Sequence, residues 1–189
     1  AREVLVDAAS KVVIGSADQV KYLDGSDRIT RAVGATGGGV SIAETLWTGD
    51  ESCPAASDPP AGATPFERDL DEAKAALCEA EHVFATFGPE FGISDPREWM
   101  DSGAPGTQLS IGATPLLSVG MNSGGTLVFA EGVARAEVVG HEIMHTTAHL
   151  FSLGGQAESA AIEEHLGDAF GLLLERRFDG RRENDCLLN

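Results

Sequence analysis

With 189 residues, 42% of them hydrophobic, the chain has the length of one domain and the apolar content to bury a core, which excludes a disordered protein. Its formal net charge of −17, with no basic cluster larger than RRFDGRR at 176–182, argues against nucleic acid and anionic membranes as partners and is compatible with cation binding. No apolar run approaches the ~20 residues of a membrane-spanning helix.

The chain opens directly on AREVLVDAAS with no visible signal peptide, so a mature, processed or trimmed product is expected. Short apolar runs broken by Gly and Asp follow: EVLVDA, KVVIG, RITRAVG and GVSIAETLW. They read as strands joined by turns, and residues 1–64 form a strand-rich segment. Residues 50–64, DESCPAASDPPAGAT, are a loop without periodicity. From Pro65 the pattern becomes helical, with Phe66, Leu70, Ala73, Leu77, Ala80 and Phe84 on one face. Pro65 in the first turn and the acidic residues after it suit a helix start.

None of the cysteines, Cys53, Cys78 and Cys186, sits in a C-x-x-C pair, which argues against a cysteine zinc site. Cys78 lies among alanines and reads as a small buried hydrophobe, while Cys53 can pair with Cys186. The pairing itself stays open at this level. Residues 88–106 are rich in Gly and Pro and read as loop; LSIGATPLLSVG and GTLVFAEG then read as strands, with a hairpin around MNSGG. The segment 65–132 is thus a helix followed by strands, and two helices, Ala134–Phe151 and Ala157–Phe178, occupy 133–178 around the turn SLGGQ. The layout is that of an α+β domain with a mixed or antiparallel sheet.

The stretch VVGHEIMHTTAH at 138–149 contains H-E-x-x-H. On a helix, His141 and His145 stack one turn apart, so both imidazoles reach one ion. Glu142 follows the first of them and can address a water on that ion. Val138 and Val139 bury the helix and keep water away. The bland alternative is a core helix with two polar tips. A zinc site needs a third protein ligand and an open position. The continuation with glycine and a third histidine fails, because Ala148 and Phe151 hold those places. A carboxylate from the next helix remains: Glu164 can be that ligand, and Asp168, four residues on, can accept a hydrogen bond from His141. Glu163 and His165 lie roughly 100° to either side of Glu164. His149 extends the histidine row too far for one ion, and His82 reads as a partly exposed polar residue on the earlier helix.

HEIMH, followed after 18 intervening residues by the glutamate of EHLGDAFG at Glu164, resembles the thermolysin-like zinc metallopeptidases, the gluzincins. EVVGHE and SVGMNSGGTLVFAEG resemble that family's entry to its active-site helix, and the likeness runs from about Leu116 to Phe178. The resemblance implies a zincin-like catalytic domain over 1–189. It further implies zinc on His141, His145 and Glu164, Glu142 as general base, and Asp168 orienting His141. It implies calcium near Glu137, Glu175, Glu183 and Asp185, and a secreted location. This chain departs from the family where Glu163 replaces an asparagine and where Val119–Gly120 replace an asparagine–alanine pair on the strand that aligns substrate. ENDCLLN falls where the family continues into a helical subdomain carrying a histidine and an arginine that stabilise the tetrahedral intermediate. The resemblance therefore implies, as a further partner, a C-terminal subdomain that these residues lack or another protein that completes the cleft.

The expected function is a zinc endopeptidase acting on peptide or protein substrates. The alternatives are a zinc-binding module, weak or inactive in catalysis, that binds a protein partner, and a zinc hydrolase acting on a substrate other than a peptide.

Overall fold

The computed structural model describes residues 2–6, 13–18, 27–36, 39–51, 53, 61–88, 107–112, 121–123, 126–147 and 157–179. Their elements run β1 (Arg2–Val6), β2 (Val13–Asp18), β3 (Arg28–Thr36), β4 (Gly39–Thr48), α1 (Pro65–Phe87), β5 (Gln108–Gly112), β6 (Met121–Ser123), β7 (Thr126–Ala130), α2 (Ala136–Thr147) and α3 (Ala157–Asp179). The class is α+β. β1 and β2 pair as an antiparallel hairpin of their own. The other five strands form one mixed sheet in the order β4-β3-β5-β7-β6. β3, β5 and β7 run parallel, while β4 and β6 join antiparallel at the two edges.

Register explains why this sheet has a strong face. Trp47 of β4 lies opposite Ile29, Ile29 opposite Leu109, and Leu109 opposite Leu127. All four are at most 1% exposed, so one apolar row crosses four strands. Ile111 and Phe129 form the next row and are fully buried. On the alternate positions Thr30 and Ser110 share a 2.8 Å hydrogen bond, which satisfies two buried hydroxyls.

α1 covers the apolar rows. The expected stripe is present: Ala73, Leu77, Ala80 and Phe84 join the core, with Phe66 and Leu70 partly buried against it. Three alanines in that stripe and beside it let the helix approach the strands closely. Its start is a capping box, in which the Thr64 hydroxyl accepts from the Glu67 N–H at 3.2 Å and a Glu67 carboxylate oxygen accepts from the Thr64 N–H at 2.8 Å.

A disulfide joins Cys53 to Cys78 and ties the segment after β4 to α1. This corrects both expectations for these cysteines: Cys78 is not a free hydrophobe, and Cys53 has its partner within the described residues. The sequence spacing carried no sign of this, because the pairing depends on where α1 packs relative to the segment after β4. The loop expected at 88–106 lies almost wholly outside the described residues, as do residues 148–151 of the first predicted C-terminal helix.

Candidate metal centre

α2 begins where α1 prepares a place for it. Gly132, with φ of +89°, turns the chain out of β7, a conformation that side chains with a Cβ rarely adopt. Its N–H donates to Asp69 of α1 at 2.5 Å, and the N–H of Ala136, the first residue of α2, donates to Glu72 at 3.1 Å. One α1 carboxylate, Asp69, thus holds the turn that leads into α2, and another, Glu72, satisfies an N–H that the helix start leaves free and favours its positive end. Burial pushes both carboxyls above their ordinary range, Asp69 against the pull of backbone N–H groups from Gly132, Ala134 and Val133, and Glu72 against that of Ala136.

Three glycines then bring α2 and α3 together. A Cβ on Gly171 would stand 2.1 Å from the carbonyl oxygen of Glu137. A Cβ on Gly140 would meet the Gly171 Cα at 2.9 Å, and one on Gly167 would meet the His141 ring at 2.9 Å. Contact this close is possible only without side chains at those positions. Phe170 of α3 stacks on Phe84 of α1, with ring centroids 5.3 Å apart, and completes the support behind the pair.

On this platform the predicted residues converge. The Nε2 atoms of His141 and His145 lie 3.0 Å apart. Glu164 reaches them from α3, with Oε2 3.3 Å from His141 Nε2 and Oε1 3.4 Å from His145 Nε2. Asp168, one turn along α3, lies 3.0 Å from His141 Nδ1. Donation of the Nδ1 proton to that carboxylate leaves the His141 Nε2 as a lone pair facing Glu164. A tetrahedral ion with bonds of about 2.0–2.2 Å sets its ligands about 3.4 Å apart. Each imidazole meets a different oxygen of Glu164, and one ligand atom from each of the three residues lies within 4.8 Å of the others, a donor triangle with room for such an ion. Two imidazoles and one carboxylate are also a donor set suited to zinc.

Glu142 faces a cleft of about 380 Å³ shared with Glu137, Val138, His141, Asp168 and Leu172. It is only 8% exposed and makes no hydrogen bond among the described residues. Burial pushes its carboxyl above the ordinary range, with the two imidazoles pulling it down and Glu164 pushing it up.

The remaining predicted residues separate. Glu137 lines the cleft and Glu175 is half-buried on α3. Neither belongs to a group of three or more metal-capable side chains; among the described residues His141, His145 and Glu164 form that group. Glu183, Asp185, His149 and Val119–Gly120 lie outside the described residues. Glu163 and His165 flank Glu164 on α3 and stay out of the donor triangle. Sequence reasoning missed Gly140, Gly167, Gly171, Asp69 and Glu72. The glycines had a visible signal, two of them four apart inside a long helix where glycine is costly. The α1 acids had none.

Comparison with models of protein families, with curated proteins and with solved structures gave no match to this chain.

Proposed function

We propose that this chain is a zinc-dependent peptidase with His141, His145 and Glu164 as the metal ligands and Glu142 as the general base. The observation that carries the proposal is the donor triangle, two imidazoles from one helix and a carboxylate from the next with one ligand atom each within 4.8 Å of the others. Zinc held there would polarise a scissile carbonyl and lower the pKa of a bound water. Glu142, which shares a cleft with His141, would take the proton of that water and pass it to the leaving amine. Its burial suits this role, because a raised pKa makes the carboxylate a better proton acceptor. Asp168 holds the His141 tautomer, and Val138 and Leu172 give the cleft apolar walls. We read the sheet and the helix pair as the zincin-like arrangement that the sequence resemblance implies, with the short edge strand β6 beside α2 as the rim along which a peptide would lie.

A second reading has one observation in its favour. Among the described residues, the side chains lining the cleft include no lysine or arginine to meet the oxyanion of a tetrahedral intermediate. On that reading the protein binds zinc and a peptide but turns it over weakly or not at all. The Cys53–Cys78 bridge supports a secreted protein, since such bonds persist in oxidising compartments.

Metal content by mass spectrometry on protein purified without added metal, beside casein digestion with and without chelator, tests the proposal. One zinc per chain and chelator-sensitive digestion are expected. Glu142→Gln is expected to keep the zinc and to lose activity by several orders of magnitude. Digestion that survives this change would remove Glu142 from the chemistry. Zinc without digestion would favour the binding module.

A further inference from the structure

We infer that the cleft beside Glu142 is a subsite for a cationic substrate side chain on an apolar stem, a lysine or arginine, read by Glu137. The inference rests on the peptidase reading and adds its substrate class.

Glu142 marks the reacting end of the cleft. It is buried, has no hydrogen-bond partner among the described residues, and lines the cleft with His141. Asp168 is already engaged by the His141 ring at 3.0 Å and is not free to select a substrate. Val138 on α2 and Leu172 on α3 wall the space with apolar side chains. Glu137 is the remaining group, four residues before His141 on α2. One helical turn separates them, a rise of about 6 Å. That is close to the reach of an extended lysine stem, whose methylenes favour apolar walls while the ammonium seeks a carboxylate. The net charge of −17 acts in the same direction at long range, since an acidic protein concentrates cationic peptides near its surface. An acidic side chain in this space would meet Glu137, Glu142 and Asp168 together, and is therefore rejected.

The test uses zinc-loaded protein and fluorogenic peptides identical but for lysine or norleucine scanned on both sides of the scissile bond. The pair differs in the charged tip and shares the stem. The expected result is a preference for lysine of about tenfold in kcat/KM at one position. Glu137→Gln brings the lysine-to-norleucine ratio close to one, and Leu172→Ala weakens the lysine peptide through its stem. The same peptides are titrated into zinc-loaded Glu142→Gln protein, so that preference is read even where turnover is slow. Equal handling of both peptides by zinc-loaded protein, or preference for norleucine, overturns the subsite and leaves the peptidase reading standing. Zinc without binding of either peptide overturns the subsite as well. Protein that takes no zinc removes the peptidase reading, and the lysine preference must then appear in binding to the metal-free chain or fall with it.

Discussion

At His141 two demands meet, since one ring nitrogen faces the carboxylate of Asp168 and the other faces Glu164. A histidine held on both sides is fixed in tautomer and orientation, and it is a better ligand than a free one. In the proposed zinc site Asp168 acts through that ring, as a positioning residue. Asp168→Ala is therefore expected to weaken zinc binding by about 10–100-fold while the fold persists, because Asp168 itself is exposed. Competition with a chromophoric chelator measures the affinity and circular dichroism checks the fold. An unchanged zinc affinity would show that the hydrogen bond does not tune the ligand. His141 and His145 were legible because one helix carries them and helical spacing alone brings them to one face, with Glu142 next in sequence to the first. Glu164 and Asp168 were legible as a pair for the same reason. Their distance from the histidines was not, because it depends on how two helices pack.

That packing is decided by glycines. Gly171 and Gly140 bring α2 and α3 to backbone contact, and Gly167 leaves room for the His141 ring. Gly171→Ala places a methyl group 2.1 Å from the Glu137 carbonyl oxygen, so the helices have to move apart. Overpacking of this kind costs about 1–3 kcal/mol or more. The expected outcome is a lower Tm and weaker zinc binding together, since separation of the helices carries Glu164 away from both imidazoles. Thermal unfolding with and without zinc checks it. A variant as stable and as tight as the parent would mean that the helices tolerate a wider spacing. The α2 start shows the same division of labour. Its sequence, GVARAEVVG, names a turn and then a helix, but the acceptor for the turn's Gly132 N–H is Asp69 and that for the first helical N–H is Glu72, both more than sixty residues earlier.

At the scale of the whole molecule, α1 is the hinge of the arrangement. It lies over the row Trp47, Ile29, Leu109 and Leu127, caps α2 and stacks on α3 through Phe84. The Cys53–Cys78 bridge fastens it to the segment that follows β4 across a sequence separation of 25. A loop of that length corresponds to about 3.5 kcal/mol of stabilisation in the chain-entropy view. Reduction, or Cys53→Ser with Cys78→Ser, is expected to lower the Tm by about 10 °C. Scanning calorimetry of oxidised and reduced protein checks it. A loss of zinc at temperatures well below unfolding would show that α1 holds the site as well as the core.

The sequence by itself determined the parts whose cause is local. The strands at 28–36, 39–48 and 126–130, the α1 stripe from Phe66 to Phe84, the helix pair and the H-E-x-x-H spacing all follow from periodicity, capping chemistry and breaker residues. Tertiary structure alone decided what depends on approach between distant segments. It set the parallel pairing of β3, β5 and β7, the partner of Cys53, the α1 acids that hold the entry to α2, and the approach of Glu164 to the two histidines. The physical reason is range: helical and strand periodicity act over a few residues, whereas the approach of Glu164 to His141 and His145 is a distance between two helices, fixed by how closely they pack.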